Sequence, residues 1–117
     1  MKPVQLHHTS INVRDVERSR SFYERLLGLQ PLERPDFGVP GTWYGVGAGQ
    51  LHLIQCEPMG LPIDPSGPHF ALQVADLDEA RRQLAAAGLE VLDPGHDQIW
   101  VRDPDGNVVE ITTGARR

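Results

Sequence analysis

From Leu6 to Val13 the chain alternates polar and apolar side chains, the period-two pattern of a half-buried strand. His8, Ser10 and Asn12 fall on one face, and Thr9, Ile11 and Val13 on the other. The period then changes: Val16, Tyr23, Leu26 and Leu27 form a helical stripe that Asp15 is placed to cap and Gly28 to end. The same succession returns from His69. Phe70, Leu72 and Val74 alternate, and Asp76 with Glu79 has capping-box spacing. Leu77, Ala80, Leu84 and Ala87 then make a stripe expected to be buried, closed by Gly88.

After each helix the pattern predicts a short strand, Gln30–Glu33 in the first half and Leu89–Leu92 in the second, and then a hairpin. Thr42–Val46 turns through Gly47-Ala48-Gly49 into Gln50–Gln55; Gln98–Arg102 turns through Asp103-Pro104-Asp105-Gly106-Asn107 into Val108–Thr113. The chain thus reads as an internal duplication of a βαβββ module, an α+β architecture. Module one covers about 4–56 and module two about 69–114, with boundaries good to about 2–4 residues. Between them, 57–68 reads as a linker holding four of the ten prolines and two glycines. Pro31 to Gly41 also reads as loop.

A single module leaves one sheet face and its edges uncovered, which a small sheet tolerates poorly. Pairing two modules, within one chain or between chains, is expected to close a partial barrel around a cavity. Strand parity puts Ile11, Val13, Leu51, Leu53, Phe70, Leu72, Val74, Val109 and Ile111 on the helix side. The other side receives His8, His52, His69 and Glu110, four side chains able to ligate metal at matching places in the two halves; QLHLIQ answers VVEITT, so His52 stands where Glu110 stands.

Composition narrows the partners. The 117 residues suffice for one domain of ordinary size. A formal net charge of −5 offers no basic face for nucleic acid and no attraction to an anionic membrane. No apolar leader or membrane-length run is present, so the expectation is cytoplasmic. Cys56 is the lone cysteine, which excludes an internal disulfide and a cysteine-based zinc site; it is expected to be a buried apolar residue. His96 reads as a solvated loop residue, and Trp43, Tyr44 and Trp100 as core aromatics able to line a cavity. Asp103-Pro104-Asp105-Gly106 is turn chemistry, not a catalytic motif.

The stretches His8-Thr9-Ser10-Ile11-Asn12-Val13-Arg14-Asp15, Ser21-Phe22-Tyr23 with Leu27-Gly28, Gly67-Pro68-His69-Phe70, and Arg102 to Asn107 leading to Glu110 are similar to the vicinal oxygen chelate superfamily. That group contains glyoxalase I, extradiol dioxygenases, fosfomycin-resistance proteins and bleomycin-resistance proteins. The resemblance runs from about Leu6 to Thr113. It implies a divalent metal (zinc, nickel, cobalt, manganese or iron) held by His8, His52, His69 and Glu110. Glyoxalase I-like members usually carry Glu where this chain has His52.

The resemblance implies lyase or isomerase chemistry of the glyoxalase I kind on a small molecule chelating the metal through vicinal oxygens. Glu110 is then the leading catalytic base and His52 the alternative, with ligation or a supporting hydrogen bond also open for His52. Two other readings stand beside it: an extradiol-type dioxygenase using His8, His69 and Glu110 on Fe(II), and a non-catalytic ligand-binding protein of the bleomycin-resistance kind. A fosfomycin-resistance role is less favoured, since few residues follow Glu110. A homodimer is the expected assembly.

Overall fold

The structure is a computed structural model and describes residues 1–57, 63 and 67–114. The chain divides into two compact units, Met1–Met59 and Gly60–Arg117. Much of the expected linker, 58–62 and 64–66, lies outside the described residues.

In the first unit β1 (His8–Val13) leads into α1 (Val16–Arg20), which continues as a π-helical segment over Ser21–Leu26; β2 (Gln30–Leu32), β3 (Gly41–Val46) and β4 (Gly49–Gln55) follow. The sheet order is β1-β4-β3-β2, with β1 and β4 parallel and the rest antiparallel. Asp15 caps α1 as expected: its Oδ1 accepts from the Glu17 and Arg18 amides at 3.0 and 3.4 Å. Gln55 supplies a second cap, its Oε1 accepting from the Val16 amide at 3.1 Å. The helix-side face of the sheet is apolar. Val13, Tyr44, Leu51 and Leu53 are buried, as are Val16, Phe22 and Tyr23 from the helical segment. The Tyr44 hydroxyl donates to Glu24 Oε2 at 2.9 Å, and burial together with that carboxylate pushes its pKa well up.

The second unit repeats the order: β5 (Phe70–Gln73), α2 (Leu77–Ala86), β6 (Val91–Leu92), β7 (Gln98–Arg102) and β8 (Val108–Thr112), arranged β5-β8-β7-β6. Its core holds Leu77, Leu84, Ile99, Val101, Val109 and Ile111. Full burial of each such side chain stabilises the unit by about 1.5–3 kcal/mol. The capping box is half formed: Asp76 Oδ1 accepts from the Glu79 amide at 3.0 Å, while Glu79 Oε1 accepts from Gln83 instead. The β7–β8 turn is wired by the buried Asp103, whose Oδ1 accepts from the amides of Asp105 and Asn107 and whose Oδ2 accepts from Asn107 Nδ2.

The α+β class and the two βαβββ modules are as expected, with some differences in detail. Ala87 is exposed, because it is the C-cap of α2 and its amide turns back to Gln83 O. The short middle strands begin late or end early. Leu89 spends its amide on Leu84 O to terminate the helix and so does not enter β6. Phe70, Leu72 and Val74 are only half-buried. Cys56 is exposed rather than buried, since it follows the last residue of β4.

Candidate functional site

The ladders decide which face each candidate side chain takes. In the first unit Ser10, His52 and Trp43 are cross-strand partners on one face, and His8 shares that face two residues before Ser10. In the second unit Ala71, Glu110 and Trp100 are partners, and His69 lies just before β5 in phase with Ala71. All four candidates therefore lie opposite Leu53 and Ile111, the apolar partners on the helix side.

His69 and Glu110 come together. His69 Nε2 is 3.1 Å from Glu110 Oε1, with the side chains 24% and 11% exposed. The other ring nitrogen, Nδ1, is 2.8 Å from Gly67 O. A carbonyl only accepts, so Nδ1 carries the proton. In a neutral imidazole Nε2 then turns its lone pair toward the carboxylate, an arrangement that needs either a further proton or a cation. The donor chemistry fits a metal: one imidazole oriented through its far N–H by a backbone carbonyl, and one carboxylate.

His8 and His52 also meet, but differently. Their rings stack at 4.1 Å and 14°, and Trp43 stacks on the opposite face of His52 at 4.3 Å and 7°. An ion must lie near the plane of each imidazole that binds it, and near-parallel rings share no such plane. One ring must rotate before both can hold the same ion. His52 Nε2 is 2.8 Å from Gln50 Oε1, and His8 Nδ1 is 2.9 Å from His7 Nδ1. His52 is buried, and its pKa is held below the usual histidine value, first by that burial and then by the charges of His8, His7 and Arg34. A neutral ring is the form that ligates. Among the described residues, no group of three or more His, Cys, Asp or Glu side chains is gathered as a metal cluster; the candidates stand as two pairs.

Trp100 was underrated by sequence reasoning. It is the cross-strand partner of Glu110, and its buried Nε1 has no hydrogen-bond partner among the described residues. It thus leaves an N–H donor unused on the Glu110 face. Tyr44, by contrast, lies on the helix side with Leu51, away from His52. His96 is exposed in its loop, as expected.

Known proteins resemble this chain in sequence and fold. The chain is 32% identical over 91% of its length to "Glyoxylase I 4" of Arabidopsis thaliana, covering 68% of that protein. It is 30% identical over 81% of its length to an ethylmalonyl-CoA/methylmalonyl-CoA epimerase of Cereibacter sphaeroides, covering 79% of it. With metallothiol transferase FosB of Shouchella clausii the identity is 27%, over 93% of this chain and 80% of that one. Among solved structures, a putative glyoxalase family protein from Bacillus anthracis superposes with a TM-score of 0.79 at 24% identity, covering 95% of this chain and 96% of that one. The Glyoxalase/Bleomycin resistance protein/Dioxygenase superfamily matches residues 5–111, and the chain belongs to that superfamily.

Proposed function

We propose that this chain is a divalent-metal-dependent enzyme that moves a proton on a small substrate bearing vicinal oxygens, as glyoxalase I does. His8, His52, His69 and Glu110 are the proposed ligands, two from each unit, of one chain or of two. The observation that carries the reading is the His69–Glu110 pair at 3.1 Å, with Nδ1 of His69 fixed on Gly67 O. A glyoxalase I-type relative and an epimerase at 32% and 30% identity support it, since both names denote rearrangement about one or two carbon centres.

A divalent ion there would polarise the substrate oxygens as a Lewis acid. The chain's own part is proton transfer and orientation. Glu110 takes the proton from the carbon beside a carbonyl and returns it to the neighbouring carbon, converting a 2-oxoaldehyde hemithioacetal to a 2-hydroxy thioester. His69 is oriented by the hydrogen bond from its far nitrogen to Gly67 O. Trp100 Nε1 offers a donor to an oxygen that gains charge. His52 is the alternative base.

Turnover of methylglyoxal hemithioacetals by the metal-loaded protein tests this directly. Glu110→Gln should lower kcat by about 10²–10⁴-fold while the circular dichroism spectrum is kept; unchanged turnover would refute the assignment. A second reading leaves His52 outside the ligand set, its Nε2 2.8 Å from Gln50 Oε1 and its ring against Trp43. His8, once turned out of its stack on His52, would then join His69 and Glu110 as a two-histidine, one-carboxylate set, the arrangement of non-haem Fe(II) oxygenases. Ring-cleavage product from catechols after anaerobic Fe(II) loading and aeration decides for it, and absence of that product decides against it.

A further inference from the structure

The first unit holds a cleft of about 890 Å³ lined by α1, β2, the 33–40 loop, the start of β3 and the end of β4. Its wall reaches both sides of the β2 edge: Thr42 pairs with Leu53 on the helix side, whereas Leu32 pairs with Trp43, the partner of His52.

Two side-chain atoms in the cleft-lining residues, Arg34 Nε and Thr42 Oγ1, are buried with neither a hydrogen-bond nor an ion-pair partner among the described residues. Arg34 Nε can only donate and Thr42 can donate, so one acceptor would suit both. Thr42 is 4% exposed, and an unpaired hydroxyl that deep costs about 1–3 kcal/mol. The positive charge is not balanced evenly. Arg20 is neutralised by Glu17 and Glu24, at 3.5 and 3.4 Å. Arg34 has no carboxylate partner among the described residues. Its Nη1 donates only to Val39 O at 3.2 Å, and its guanidinium lies 5.1 Å from the Phe37 ring centre. The fold makes room for it: a Cβ on Gly41 would stand 2.7 Å from Arg34 Nη2 and 2.5 Å from Leu53 O. The remaining wall is apolar, including Val16, Leu32 and Val39.

We propose that this cleft binds a small monocarboxylate with a short apolar body, its carboxylate received by Arg34 and Thr42. One uncompensated guanidinium selects a single negative charge, and Glu17 and Asp36 on the rim oppose a dianion. None of the proposed metal ligands lines the cleft.

The test is a titration of the full chain, in EDTA, with sodium hexanoate, read by methyl shifts of Val16, Leu32, Val39 and Thr42. The expected result is saturable binding at those methyls, weakened about tenfold or more for hexan-1-ol and for Arg34→Gln, as loss of a charge-assisted hydrogen bond implies. Thr42→Val, which only replaces a hydroxyl by a methyl, should weaken binding while its Tm stays equal or rises. Equal binding of the alcohol, unchanged affinity in both variants, or shifts confined to other methyls would overturn the proposal.

Discussion

At the scale of single residues, His52 differs most from the other candidates. Its ring is held between His8 and Trp43, and in the folded chain its pKa lies below the ordinary 6.5, through burial first and nearby positive charge second. The unfolded chain therefore takes up this proton at higher pH than the folded one. The stability that neutral His52 contributes is complete above pH 6.5 and is lost as pH falls through the depressed folded value. Urea midpoints measured from about pH 7.5 down to about pH 5 should fall more steeply for the wild type than for His52→Gln. Parallel slopes would contradict this. The sequence made Glu110 legible because a carboxylate between Val109 and Ile111 calls for a partner. It did not show the His8–His52–Trp43 stack, since facing rings depend on rotamers and cross-strand diagonals that alternation alone leaves open.

Elements were legible where burial alternates cleanly, and less so where a backbone group has two claimants. β7 runs from Gln98 to Arg102 as the pattern predicts, because its flanks are turn residues on both sides. β6 shrinks to Val91–Leu92 because the preceding helix uses the Leu89 amide to close itself. The caps differ in their redundancy. Gln55 supports α1 beside Asp15, whereas α2 relies on Asp76 at its first turn. Asp76→Ala is therefore expected to cost about 1 kcal/mol in urea denaturation, near the middle of the range for N-caps. Asp15→Ala should cost less. The reverse order would show that Gln55 adds nothing.

At the scale of the molecule, duplication was the most readable feature, and it carries the topology of both sheets. Function was less readable. The same fold serves many reactions, and the relatives include a metallothiol transferase beside an epimerase. Among the described residues no helix is long and apolar enough to cross a membrane. If the four ligands act together, a divalent ion bound only by the folded protein must stabilise it, by about 2.7 kcal/mol at a hundred times Kd. A rise in Tm with nickel, cobalt, manganese, iron or zinc, reversed by EDTA, is the expected result. No rise with any of them would favour a metal-free binding protein. Light scattering should give a dimer.

The π-helical segment Ser21–Leu26 has a meaning beyond its own unit. Thirteen steps separate Asp15 from Gly28, whereas twelve separate Asp76 from Gly88. The two copies thus differ by a single residue between cap and terminating glycine, and a π turn is how a helix absorbs one extra residue without shifting its ends. The segment takes up the extra residue as a local widening that keeps Phe22 and Tyr23 in the core. Removing the exposed Arg25 should return the first copy to the length of the second. The expected product folds cooperatively with a regular α-helix in place of the π turn, visible in its backbone hydrogen bonds, and loss of folding would show that the two copies can no longer be brought back into step.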